Sequence, residues 1–304
     1  MLTLRLSEFV LVTVLVCAGL FVLALLLLLV AVAYSRAKAR RASANREKYL
    51  DRLILASEGA GDPAPARRAA RREVADLAVH LLSNLIGQEY RQLADWLLRW
   101  GFEGDAQEWL GSRSAAQRLR GAVLLLLMKG EAAMPATLPL LADPHLRVRS
   151  GVARVLGYAG TEAAVSPVLR AIELDLLAPS IGMMSILRIY PRDGAPLAGG
   201  MRSDSAPLRR VAAASVGILE MHSLREPVET LLDDPDESVR LAAIETLDRL
   251  AAPGSMALLR AALQSADTAE RGAHELALIE QALMSCGTVP SEQMLDFDEE
   301  GDAL

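Results

Sequence analysis

Along most of the chain apolar residues return at three- and four-residue intervals, in runs that stop at a Gly, a Pro or an Asp. That spacing predicts amphipathic helices joined by tight corners. The stretch from Asp143 to Gly157 reads as such a corner followed by a helix, and the stretch from Asp234 to Leu247 repeats it. In each, an arginine (Arg149, Arg240) is followed two residues later by a small residue and seven later by a leucine, Leu156 or Leu247.

Self-similarity at a fixed period decides an architecture before any local detail does. With Arg149 and Arg240 as one rung, the same slot holds Arg120, Ser180, Arg210 and Arg271, at steps of 29, 31, 30, 30 and 31 residues. Two positions on stand Ala122, Gly151, Gly182, Ala212, Ala242 and Ala273, all small. A second ladder runs through Pro135, Pro167, Pro196 and Pro227, each followed five residues later by an apolar side chain: Leu140, Ile172, Met201 and Leu232.

Each period therefore predicts helix, tight turn, helix. A proline near the start of the first helix is tolerated because early amides have no intrahelical partner. An Asp before the second (Asp143, Asp204, Asp234, Asp267) can cap free amides, and small residues let two helices approach closely. With these residues in place the chain resembles the HEAT-like repeat proteins of the short type, about thirty residues per unit. The family's Val-Arg-x-x-Ala-like signature stands as Val148-Arg149-Ser150-Gly151-Val152 and Val239-Arg240-Leu241-Ala242-Ala243. The resemblance implies an all-α solenoid whose ladder arginines pair with acids between units. Ser180 in the arginine slot predicts that the third unit packs differently.

Ahead of the repeats, residues 9–35 carry no charge, longer than the roughly 20 residues a helix needs to cross a bilayer. The expectation is a single N-terminal transmembrane helix. Only Arg5 and Glu8 precede it, whereas Arg36, Lys38, Arg40, Arg41, Arg46 and Lys48 follow. That asymmetry predicts residues 1–8 outside and the repeats in the cytoplasm, at the inner (plasma) membrane. The basic cluster Arg36, Lys38, Arg40 and Arg41 also suits anionic lipid, so membrane contact is expected through residues 9–41.

The remaining divisions follow composition. Residues 36–66 read as a basic juxtamembrane helix and a Gly/Pro linker, 67–111 as N-terminal capping helices, 112–284 as the repeats and 285–304 as an acidic disordered tail. Trp96, Trp100 and Trp109 read as core fillers of the capping helices, because terminal repeats must cover an exposed core. Met294, Leu295 and Phe297 stand inside the acid run of the tail.

Charge and chemistry narrow the function classes. The chain has 32 Lys and Arg against 38 Asp and Glu, and seven of the basic residues fall in its first fifty, so the rest is markedly acidic. That is the opposite of a phosphate-binding footprint and argues against nucleic acid. Four scattered histidines, two distant cysteines, Cys17 and Cys286, and no phosphate-cradling glycine loop leave no support for catalysis, a metal, a cofactor or a small-molecule substrate. The bilin lyases share similar short repeats, but at fold level only. The reading is a membrane-anchored, non-catalytic adaptor whose partner is a membrane-associated protein, for example a glycosyltransferase. A nucleic-acid binder and a bilin-lyase-like enzyme are the alternatives.

Overall fold

A computed structural model describes residues 47–60, 67–264 and 272–287; among them every regular element is helical. The charge-free segment 9–35, the basic cluster Arg36, Lys38, Arg40 and Arg41, Arg271, and residues 288–304 of the acidic tail lie outside the described residues. Among the described residues one stretch, Ala115–Ala142, is apolar and long enough to cross a membrane by composition alone. Gly130, at φ 54°, interrupts it. Leu124 to Met128 within it are buried as repeat core.

The chain divides into two compact units. The first comprises residues up to Ala78 together with Ile86–Leu93. Its described part holds α1 (47–57) and the opening turns of α2 (Arg68–Leu82) and α3 (Gly87–Arg99). Leu53, Ala75 and Leu93 are buried in it.

The second unit is a run of helical hairpins. Its first-position (A) helices are α4 (Phe102–Leu110), α6 (Met134–Thr137), α8 (Val165–Glu173), α10 (Ala195–Gly200), α12 (Arg225–Glu229) and α14 (Met256–Gln264). Their second-position (B) partners are α5 (Ala115–Lys129), α7 (Leu146–Ala159), α9 (Pro179–Ile189), α11 (Ala206–Ile218), α13 (Glu237–Leu250) and α15 (Ala273–Gly287). Each B helix packs on the next, from α5 through to α15. Because α4 pairs with α5, the array begins at Phe102, inside the segment the sequence assigns to capping helices. It also runs three residues past the expected end, to Gly287. Trp96 and Trp109 are buried there, and Trp96 lies against Phe102 with ring centroids 6.0 Å apart; Trp100 is exposed.

The A helices are short and broken by 3-10 turns such as Leu138–Ala142 and Thr230–Asp233. The proline ladder contributes to this, because Pro135, Pro167, Pro196 and Pro227 all stand in first turns. Thr137, Val168, Leu197, Val228 and Leu259 are fully buried at one repeat position. Proline immediately precedes three of them, but Pro135 stands one residue early. The same slip buries Leu141 rather than the expected Leu140. It also puts the Thr137 hydroxyl in the core, where it donates to Ala133 O at 3.0 Å.

B helices meet where side chains are small. A Cβ added to Gly217 of α11 would lie 3.0 Å from Thr246 Cα in α13, and one added to Gly157 of α7 would lie 3.0 Å from Ser185 Cα in α9. Glycine therefore sets the helix separation at both seams. The B helices also end alike. Gly130, Gly160, Tyr190, Glu220 and Ala251 follow five successive B helices at steps of 30 or 31 residues, all with positive φ. Three of the five are not glycine, so the repeat geometry imposes a conformation those residues disfavour.

Candidate functional site

The arginines fall into two populations with different surroundings. Arg118, Arg149, Arg209 and Arg240 occupy one repeat position near the start of their B helices. In each, Nη1 donates to two carbonyls of the preceding corner: Ser112 and Arg113, Asp143 and Pro144, Ser203 and Asp204, Asp234 and Pro235. The side-chain oxygen of Ser112, Asp143, Ser203 or Asp234 accepts the backbone amide two residues on. This local turn competes well with helix and fixes where the B helix begins.

The rest of each guanidinium reaches the next hairpin. Arg118 forks onto Asp143 at 2.7 and 2.8 Å, Arg209 onto Asp234 at 2.7 and 2.8 Å, and Arg240 onto Glu275 at 2.9 Å twice. Arg149 faces the third hairpin, where no carboxylate is offered, and its Nε donates instead to Leu176 O. Asp175 there takes φ 54°, and Pro179 rather than Ser180 stands opposite the ladder position. The irregular third unit expected from sequence is thus a substitution of a carbonyl for a carboxylate.

Two rungs of the sequence ladder shift in register. Arg118, not Arg120, and Arg209, not Arg210, hold the guanidinium position. Arg120 lies 5.8 Å from the Trp109 ring centroid, and Arg210 is exposed. Arg149 and Arg240 hold the guanidinium position in their own hairpins. Of the expected capping acids, Asp143 and Asp234 stand two residues before the N-cap and accept its amide, while Asp236 is the residue that caps α13, accepting from Ser238 N at 2.9 Å. Asp204 contributes its carbonyl to Arg209.

Electrostatics agree with this division. The hydrogen bonds from Arg118 hold the Asp143 carboxyl below the ordinary carboxylate range. Burial pushes Asp234 upward, but Arg209 and the Asp236 amide outweigh it and leave that carboxyl lowered too. Hydrogen bonds to their carboxylates raise Arg118, Arg209 and Arg240. These charges are consumed inside the fold.

The outward faces of four consecutive B helices form a separate array. On α7, α9, α11 and α13 its three columns read Ser150, Ser180, Arg210, Leu241; then Arg154, Met184, Ala214, Glu245; then Tyr158, Arg188, Ile218, Arg249. Successive members are 30 or 31 residues apart, and the columns four apart along each helix, so all twelve share one face. Tyr158, Met184 and Ile218 are 62%, 46% and 44% exposed, large apolar groups left in water amid arginines. Arg188 crosses from α9 to stack over the Tyr158 ring of α7 at 4.4 Å. Among the described residues Arg154, Arg210 and Arg249 form no ion pair, and Glu245 is the only acid among the twelve. The sequence reading missed this face because its register was one or two residues out.

Among the described residues no three His, Cys, Asp or Glu side chains come together to hold a metal. Cys286 is buried, which pushes its thiol up and away from the reactive thiolate.

Comparison with known proteins agrees with the hairpin geometry. The family model described as HEAT repeats matches residues 195–279. No curated protein matches the chain. A chain from the complex of CpcE and CpcF of phycocyanin lyase from Nostoc sp. PCC7120 is 14% identical with a TM-score of 0.30, covering 69% of this chain and 94% of that one. A crystal structure of an engineered protein is also 14% identical, with a TM-score of 0.31, covering 80% and 96%. Likeness at that level carries no argument about this chain. The chain is thus an all-helical hairpin-repeat protein among its described residues, similar over residues 195–279 to HEAT repeats.

Proposed function

We propose that this chain is a non-catalytic adaptor, tethered to the membrane through residues 9–35, whose exposed B-helix face binds an acidic, partly apolar segment of a protein. One observation carries the reading: the column Tyr158, Arg188, Ile218, Arg249 alternates large apolar and cationic side chains, with Arg154, Met184 and Arg210 beside it on the same face, whereas the ladder arginines Arg118, Arg209 and Arg240 are paired with carboxylates within the fold. Arginine and aromatic side chains are the residues that dominate protein contacts. A phosphate backbone would not use Tyr158, Met184 and Ile218 in this way, and a protein segment would.

The tether confines the face to the plane of the membrane and raises its effective concentration toward partners there. A membrane enzyme such as a glycosyltransferase, on the cytoplasmic side of the inner membrane, is the class of partner that fits. The test is capture from mildly solubilised membranes by the full chain, compared with the Arg154→Glu/Arg188→Glu/Arg210→Glu variant. Loss of at least tenfold of one protein at unchanged melting temperature is expected. Equal capture by both chains, or capture abolished by nuclease, overturns the reading. Reporter activity only outside the cytoplasm, from a fusion after Leu304, overturns the orientation.

A further inference from the structure

Resting on that reading, we infer that the chain's own acidic C-terminal segment is a ligand of the same face and competes there with the partner. The sequence after Gly287 carries Glu292, Asp296, Asp298, Glu299, Glu300 and Asp302 with no Lys or Arg, and sets Met294, Leu295 and Phe297 among them. The face it would meet is the complement in both respects: Arg154, Arg188, Arg210 and Arg249 around Tyr158, Met184 and Ile218. Opposite charges align such a segment, and the apolar side chains give it a register.

The fold delivers the segment to the right edge. Near its C-terminal end α15 is held against the C-terminal end of α13, where Ser285 Oγ donates to Asp248 Oδ1 at 2.5 Å and Gln281 Nε2 to Asp248 Oδ2 at 2.7 Å. The column Tyr158, Arg188, Ile218, Arg249 lies at that same end of the B helices. Phe297 is ten residues beyond Gly287, a reach of about 33 Å when extended. Packed helices stand roughly 8–10 Å apart, so α13, α11 and α9 are all within range, as far as Met184. A short tether supplies an effective concentration on the order of 1 mM, so even a segment with a dissociation constant of about 0.1 mM would weaken the partner's binding roughly tenfold.

The experiment places the photo-crosslinker p-benzoylphenylalanine at Phe297 of the full chain in mild detergent and maps the product by mass spectrometry. Crosslinks within one chain to α9 and α11 around Met184 and Ile218 are expected, fading in 1 M salt, where the screening length falls to about 3 Å. Crosslinks that land elsewhere, or only between two chains, overturn the inference. A second arm measures partner capture by the full chain carrying Asp296→Lys, Asp298→Lys, Glu299→Lys and Glu300→Lys, where a rise of about tenfold is expected and no change overturns it. If the segment fails to crosslink while the Arg154→Glu/Arg188→Glu/Arg210→Glu variant still loses its partner, the inference fails and the adaptor reading stands. If that variant keeps its partner, the adaptor reading fails, and crosslinks to Met184 still decide whether the segment binds the face.

Discussion

Arg209 and Asp234 join two hairpins through a fork of hydrogen bonds, 2.7 Å from Nε to Oδ2 and 2.8 Å from Nη2 to Oδ1, while the arginine's third nitrogen closes its own corner. Both side chains are largely buried, so removing one leaves a charge without compensation. Asp234→Ala is expected to cost about 3 kcal/mol in denaturant unfolding. Arg210→Ala, one residue from the rung, is expected to change stability by less than about 0.5 kcal/mol. A large loss at Arg210 and none at Asp234 would return the register to the one read from sequence.

The same pairs set the acid limit. Asp143 and Asp234 have carboxyls lowered in the fold, so the folded state holds its protons less tightly than the unfolded chain, whose carboxyls titrate near ~4. Their contribution is complete above the unfolded value and disappears as pH falls through the lowered folded values. Asp234→Asn should therefore reduce stability at pH 7 and flatten the decline below about pH 4. An acid limb as steep as that of the unmodified chain would show that Asp234 carries none of it.

At the helix ends, Ala251 is held at φ 44° and ψ 44°. A non-glycine residue in that region costs about 1–2 kcal/mol, part of which glycine gives back through a freer unfolded chain. Ala251→Gly should gain about 0.5–1 kcal/mol, a few degrees of melting temperature for an array of this size. A loss would mean that the Ala251 methyl packs more than its backbone strains.

Gly217→Ala should act in the other direction. The new methyl carbon would sit 3.0 Å from the backbone of Thr246, and α11 and α13 would have to separate. A destabilisation of about 1–3 kcal/mol is expected by thermal unfolding. Gly199→Ala, where nothing lies within 4 Å of the added carbon, is the control that should cost little.

How much of this was legible beforehand differs by level. The period, the helix pairing and the prolines in first turns follow from spacing alone, because each hairpin meets the same neighbours. The register did not, because arginines stand close together at 118 and 120 and again at 209 and 210, and identity alone cannot choose between them. The signal that chooses is the corner: Ser112, Asp143, Ser203 and Asp234 each precede their ladder arginine by six residues. Left-handed turns at Tyr190 and Glu220 had no local signal, since tertiary packing imposes what their side chains resist. The exposed face emerged only with the register corrected, when Tyr158, Met184 and Ile218 fell on the outside together.

If the chain is an adaptor, this outward face, and not the A-helix side, meets another protein. The most direct measurement puts p-benzoylphenylalanine at Met184 or, as control, at exposed Glu226 of α12 in the full chain, and irradiates membranes containing it. A discrete protein adduct from Met184, absent from Glu226, and mapping to an Asp- and Glu-rich segment, is predicted. Equal adducts from both positions, or none from Met184 to any protein, would contradict it.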